Sequence, residues 1–146
     1  MDAESLLKLL KEHKVDFVII GATAFPVYGY ARATLDIDIF IKPTEVNAKR
    51  ALTALKAFGY DVTDVKLEDL LKKKLLIRQY ALETDIHPFV KGLSFAAVWK
   101  NKIRAKFGNT FVYFASLADL IKMKRAAGRA KDLEDLKYLR RLKRAT

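Results

Sequence analysis

Two aspartates spaced two residues apart, Asp36 and Asp38, carry the strongest chemical signal in the sequence. Over Leu35 to Ile41 the pattern alternates, with Leu35, Ile37, Ile39 and Ile41 on one face of a predicted strand and Asp36, Asp38 and Phe40 on the other. Both carboxylates then leave the same face, roughly 7 Å apart along the strand and backed by aliphatic side chains. With Asp85 delivered by an adjacent strand, each pair of carboxylates at ~6 Å repels by about 3 kcal/mol at an effective dielectric near 20. A divalent cation reverses that cost, and hard oxygen donors suit Mg²⁺ or Mn²⁺ together with substrate phosphates. Without context, Asp-x-Asp also describes the solvated face of a half-exposed sheet, and Asp85 also reads as a surface residue.

The context is a phosphate-binding one. A β-branched and aromatic run, Asp16 to Ile20, stops at Gly21-Ala22, and the acidic strand follows a short helix and the segment Arg32-Ala33-Thr34. A glycine at that turn lets backbone N–H groups approach a phosphate, and the start of the next helix adds partial positive charge. His87 shares a face with Asp85 and reads either as a donor behind it or as a packing residue. Arg129 and Lys131, beside Asp132 and Asp135, read as helix-end charges that pair locally, and Trp99 with Phe95 reads as core.

The elements that must position these residues follow from period and punctuation. An amphipathic helix is predicted over residues 3 to 13 with Asp2 as its cap, a strand over Asp16 to Ile20, and a short helix from about Thr23 to Tyr30. After the acidic strand, Thr44 starts a helix that Gly59 ends, with Val46, Ala51, Leu52 and Leu55 near one face. Leu67 to Leu71 adds a helical turn or two. Leu75 to Ala81 and Thr84 to Phe89 form a predicted antiparallel pair, so the sheet is mixed. Helix is expected over Ser94 to Lys106, strand over Thr110 to Phe114, and two helices over Leu117 to Ala127 and Ala130 to Leu142 around Gly128. This is one α/β (α+β) domain over residues 1–146, with C-terminal helices from about residue 116.

Composition bounds the partners. The chain of 146 residues has no cysteine, which excludes disulfides and thiolate metal sites and suits a cytoplasmic protein. Met1 to Lys14 lacks the pattern of a secretory signal, and the longest apolar stretch, Phe17 to Ala31, is interrupted by Gly21, Pro26 and Gly29 and is too short to span a membrane. Net charge is +11, of which +7 lies between Lys122 and Arg144. That field favours polyanions, although a lysine-rich surface also serves solubility alone.

The run Ile19-Ile20-Gly21-Ala22, thirteen residues, then Asp36-Ile37-Asp38-Ile39, resembles the signature of the DNA polymerase β-like nucleotidyltransferase superfamily. Arg32-Ala33-Thr34-Leu35-Asp36-Ile37-Asp38 is similar to the form found in the abortive-infection toxin type and in the lincosamide-modifying type. Asp119-Leu120-Ile121 with Lys124, then Gly128-Arg129 and Lys131-Asp132 with Asp135, resembles the helical motifs that close the site in toxin-like members. The resemblance implies a nucleotidyltransferase fold, with Asp36, Asp38 and Asp85 as metal ligands. It implies that Gly21 and Ala22 support the triphosphate, that Arg32 and Thr34 lie beside it, and that Lys124 and Asp132 lie near the nucleotide. Where the family has a second Gly or a Ser, this chain has Ala22, so only a backbone N–H serves there. The implied reaction transfers a nucleoside monophosphate from an NTP to an acceptor hydroxyl, with Mg²⁺ or Mn²⁺ as cofactor, Asp85 as proton acceptor and Lys124 or Arg32 stabilising phosphate charge. RNA, including a tRNA end, is the acceptor that the basic C-terminus suggests; a small molecule or a protein side chain stays open. Two other classes remain: a catalytically weak nucleotide binder, such as half of a toxin–antitoxin pair, and a plain nucleic-acid-binding module.

Overall fold

The computed structural model describes residues 2–30 and 36–145. Helix α1 (Ala3–Glu12) begins where the Asp2 carboxylate accepts from Ser5 N at 2.8 Å, and it buries Leu6, Leu7 and Leu10. Strand β1 (Phe17–Ile20) is buried along its whole length. At Gly21, φ is +66° and the chain turns into an eight-residue 3-10 helix, Gly21–Tyr28. The predicted helix from Thr23 to Tyr30 therefore starts earlier and winds more tightly, with Pro26 inside it. Strand β2 (Asp36–Ile41) follows; its predicted first residue, Leu35, lies outside the described residues.

Helix α2 (Glu45–Phe58) is capped by Thr44 and stopped by Gly59 in the left-handed conformation, as its sequence signals indicate. Its buried face is set differently: Val46 stands 60% exposed, whereas Asn47 is buried. The Asn47 amide donates to Asp16 O and Lys42 O and accepts from Asp16 N, so a polar clamp fixes the helix start to the outer ends of β1 and β2. Helix α3 (Leu67–Lys72) leads to the antiparallel pair β3 (Leu75–Ile77) and β4 (Glu83–His87).

The segment Ser94 to Lys106 is not one helix. Helix α4 (Phe95–Asn101) ends early, and β5 (Ile103–Phe107) pairs antiparallel with β6 (Thr110–Phe114) through Gly108. The period-2 pattern Ile103, Ala105, Phe107 before Gly108-Asn109 is a hairpin signal that outweighs helix propensity. Helices α5 (Leu117–Ala127) and α6 (Ala130–Ala145) close the chain around Gly128, which is left-handed.

Among the described residues, six strands form a mixed sheet in the order β3-β4-β2-β1-β6-β5. The pairs β1/β6 and β2/β4 are parallel, and the others antiparallel. The register fixes faces: Asp38 lies opposite Asp85, Phe40 opposite His87 and Asp36 opposite Glu83, so these side chains share one face of β2 and β4. On the other face Ile37, Ile39 and Ile41 are almost completely buried. Among the described residues, no helix is long and apolar enough to cross a membrane.

Candidate active site

At the end of β1 where the chain turns through Gly21, the sheet opens into a cleft of about 570 Å³. Ile20, Gly21 and Ala22 form its floor beside Asp36 and Asp38 of β2 and Asp85 and His87 of β4. Lys74 and Arg78 flank it from either end of β3, Phe89 to Lys91 follow β4, and Met123, Lys124 and Ala127 of α5 with Arg129, Lys131 and Asp132 at the start of α6 complete the wall.

The parallel pairing of β2 with β4 brings together residues 47 apart in sequence. One ligand atom from each of Asp38, Asp85 and His87 lies within 4.8 Å of the others. His87 Nε2 stands 2.8 Å from Asp38 Oδ1, so His87 fixes that carboxylate. Asp36 lines the same cleft outside this trio. Its carboxylate meets Glu83, and that hydrogen bond, aided by burial and by the Asp36 charge, raises the Glu83 pKa above the usual carboxylate value. Thr23 Oγ1 donates to Asp36 O at 3.0 Å, tying the 3-10 helix to the start of β2.

Asp85 already carries a cation. Arg78 Nη1 donates to its Oδ1 at 2.7 Å, and Lys74 Nζ is 3.9 Å from Oδ2. The hydrogen bond to Asp85 raises the Arg78 pKa beyond its ordinary value. Asp85 is 5% exposed, so this pairing offsets the desolvation of a nearly buried carboxylate.

Gly21 explains how closely β1 approaches the acids. A Cβ there would stand 2.6 Å from Asp38 Oδ2, and φ of +66° disfavours any side chain. Ala22 follows on the cleft floor. Arg32 and Thr34, expected from the sequence to lie beside the triphosphate, fall outside the described residues.

Lys124 and Asp132 also line the cleft, but they face each other. Lys124 Nζ is 3.0 Å from Asp132 Oδ1 and 3.2 Å from Asp135 Oδ2, which joins α5 to α6. Burial pushes the Asp132 carboxyl up, yet hydrogen bonds from Arg129 and Lys124 outweigh it and hold the pKa at about 2. Arg129 pairs locally, as its place at the helix end indicates: Nε donates to Asp132 Oδ2 at 2.6 Å and Nη2 to Oδ1 at 3.2 Å, and that bonding, with smaller help from the charges of Asp132 and Asp38, raises its pKa.

The donor set fits a divalent cation. Two carboxylates and an imidazole converge, a guanidinium stands where positive charge is needed, and Gly21 leaves room beside Asp38. Sequence patterns do not single out Lys74, Arg78, Phe89 or Lys91. Lys74 and Arg78 bracket the strand antiparallel to that of Asp85, which is the one signal that could find them.

A family model described as "Nucleotidyltransferase of unknown function (DUF6036)" matches residues 1–143. A search of curated proteins gave no match. The mixed sheet flanked by helices is the fold expected of such a protein.

Proposed function

The chain belongs to this family of nucleotidyltransferases, and from that premise we propose that its cleft transfers a nucleoside monophosphate from an NTP to an acceptor hydroxyl. The observation that carries the reading is the convergence of Asp38, Asp85 and His87 beside a glycine that no other residue replaces without a clash. Asp38 and Asp85, with Asp36 at the rim and His87 orienting Asp38, would hold Mg²⁺ or Mn²⁺. When bound, the cation supplies neutralisation of the triphosphate and acidification of the acceptor hydroxyl.

The chain's own residues supply the rest. Backbone N–H groups of Gly21 and Ala22 bind phosphate oxygens, and Lys74, Lys91, Arg129 and Lys131 around the cleft draw the polyanion in. Arg78, which pairs with Asp85 on the cleft wall, is a further positive group for the phosphates. Phe89, 59% exposed on the cleft wall, offers the nucleobase an apolar surface. The acceptor oxygen attacks the α-phosphorus, its proton passes to Asp85, the bond to the bridging oxygen breaks and pyrophosphate leaves. Lys124, with Arg32 from the segment outside the described residues, stabilises the charge that grows on the phosphates.

Within the nucleotidyltransferases we place the chain in the DNA polymerase β-like superfamily, near the abortive-infection toxin type, on Gly21-Ala22, Asp36-Ile37-Asp38 and the Lys124 to Asp135 motifs. NTP chemistry and the cysteine-free sequence fit a cytoplasmic location. One observation favours the alternative of a weakly catalytic nucleotide binder: Arg78 and Lys74 already neutralise Asp85.

Calorimetric titration of each NTP with Mn²⁺, and again with chelator, tests the proposal. Binding that disappears with chelator is expected. Equal affinity in both conditions refutes the metal site, and metal-dependent binding with no release of pyrophosphate from the NTP, whichever acceptor is supplied, supports the non-catalytic alternative.

A further inference from the structure

Away from the cleft, four cations recur at every second position, Lys100, Lys102, Arg104 and Lys106, across the end of α4 and along β5. Arg104 pairs with Tyr113 and Lys106 with Phe111 across the β5/β6 hairpin, so the cations and the rings share a face. Arg104 stacks over Phe111 at 3.8 Å, and Lys102 lies over both Trp99 at 4.0 Å and Tyr113 at 4.7 Å. Trp99 meets Tyr113 edge to face, at 5.3 Å between centroids.

One side of this row is open: Phe111 and Tyr113 lie outside the core, while Trp99 stacks on the buried Phe95 at 5.4 Å, as their helical spacing indicates. The other side of Trp99, which is half-buried overall, lines two open grooves of about 440 and 330 Å³. Lys42 and Lys100 line the first groove, and Lys11 and Arg104 the second; Asp16 is the acidic residue on both. The register also locates the row relative to the cleft. Ile20 is opposite Asp38 and Ile19 opposite Phe114, so Phe111 and Tyr113 project from the same sheet face as Asp38 and Asp85. Strand β5 lies three strand spacings from β2, roughly 14 Å.

We infer that the Trp99, Phe111, Tyr113 row with Lys102, Arg104 and Lys106 is a binding platform for single-stranded nucleic acid. Cations alternating with rings match a strand in which phosphates alternate with unstacked bases, and a guanidinium plane over an aromatic ring extends the stacking surface outward. A duplex keeps its base faces to itself and gains only the charge. The platform also differs from the basic C-terminal helix in offering rings beside its charges. The inference stands apart from the cleft reaction, because binding here needs neither metal nor NTP.

Trp99 is the sole tryptophan, so its fluorescence reports on this surface alone. The probe is an oligouridylate of about twelve nucleotides, titrated without metal, with the matching oligodeoxythymidylate, an RNA duplex and heparin as comparators. Oligouridylate is expected to quench Trp99 saturably, and heparin to bind with little quenching. Stronger binding of RNA than of the DNA strand would assign the site to RNA, and equal binding to single strands in general; both support the platform. The double variant Arg104→Gln, Lys106→Gln should weaken binding by about tenfold and flatten the slope of log affinity against log salt by about 0.7 for each phosphate no longer neutralised. Tyr113→Ser, at a position 38% exposed, should weaken binding by at least about fivefold with the salt slope unchanged. Circular dichroism checks that each variant keeps its fold. Three results would overturn the inference: no saturable change in Trp99, duplex bound more tightly than single strand, or affinity that falls only when Arg140, Arg141, Lys143 and Arg144 are changed to Gln.

Discussion

Replacing Gly21 by Ala probes the acidic cluster without touching any of its ligands. An L residue at φ +66° costs about 1–2 kcal/mol. The new Cβ would stand 2.6 Å from Asp38 Oδ2 and 3.1 Å from Cγ. Gly29 supplies the control, because its φ is +88° and an added Cβ there meets nothing within 4 Å. Gly29→Ala therefore reports backbone strain alone, expected to lower Tm by about 3–7 °C in a chain of this size. Gly21→Ala adds a displacement: to reach ordinary van der Waals separation, the Asp38 carboxylate must retreat by roughly 0.8 Å. Such a movement breaks the 2.8 Å contact with His87 Nε2 and spreads the three donors apart. A disturbed ligand-orienting contact typically costs about 10–100-fold in metal affinity. The assay is Mn²⁺ titration by electron paramagnetic resonance, run beside thermal melts of both variants. If Gly21→Ala and Gly29→Ala lose the same stability and both bind Mn²⁺ like the parent, the position of the Asp38 carboxylate does not set cation binding, and the reasoning fails.

Asp38→Asn should abolish nucleotide transfer and most Mn²⁺ affinity while circular dichroism stays unchanged, since volume is conserved; retention of full transfer would refute the catalytic assignment. Asp132→Asn tests the α5/α6 tie. The folded pKa of about 2 lies below the ordinary value of 3.8, so its contribution is present in full above pH 3.8 and is lost as pH falls toward 2. At about 1.4 kcal/mol per unit the contribution is at most about 2.5 kcal/mol, and less in practice because Arg129 is 66% exposed. Urea unfolding should show that gap between parent and Asp132→Asn at pH 7 and a much smaller one near pH 2; a gap independent of pH would assign the cost to packing instead. Asn47→Ala should destabilise by about 1–3 kcal/mol in the same assay, because Asp16 N loses its acceptor, whereas Asp16 O and Lys42 O keep Lys42 N and Thr44 N as donors.

Where local signals agree with the tertiary environment, the elements can be read without coordinates. Asp2, Thr44 and Gly59 mark helix ends by chemistry that operates within one turn, and the alternation through β2 records a face that the whole molecule buries. Where two local signals compete, tertiary context decides. Residues 94 to 106 contain a good helix start at Ser94 and a good hairpin at Gly108, and the edge position beside β6 settles the second half as strand. Val46 and Asn47 exchange their expected places for a related reason. Apolar character places Val46 inward, but Asp16 N needs an acceptor, and an amide at position 47 supplies it while also donating to Asp16 O and Lys42 O.

The site divides along the same line. Acids show through spacing: Asp36 and Asp38 lie on one strand, and Asp85 on a second with its own alternation. Their cations come from elsewhere, and nothing in Lys74 or Arg78 taken alone distinguishes them among 28 Lys and Arg residues. What distinguishes them is β3 running antiparallel beside β4, which brings Leu76 opposite Asp85 and sets Lys74 and Arg78 on either side. The consequence is a cleft whose acidic charge is balanced internally. Arg78 at 2.7 Å from Asp85 is a cation on a flexible side chain, 42% exposed, whereas Asp85 itself is held on a central strand. Cation binding at Asp85, as proposed, therefore requires that the exposed guanidinium give way, because the carboxylate is fixed by its strand.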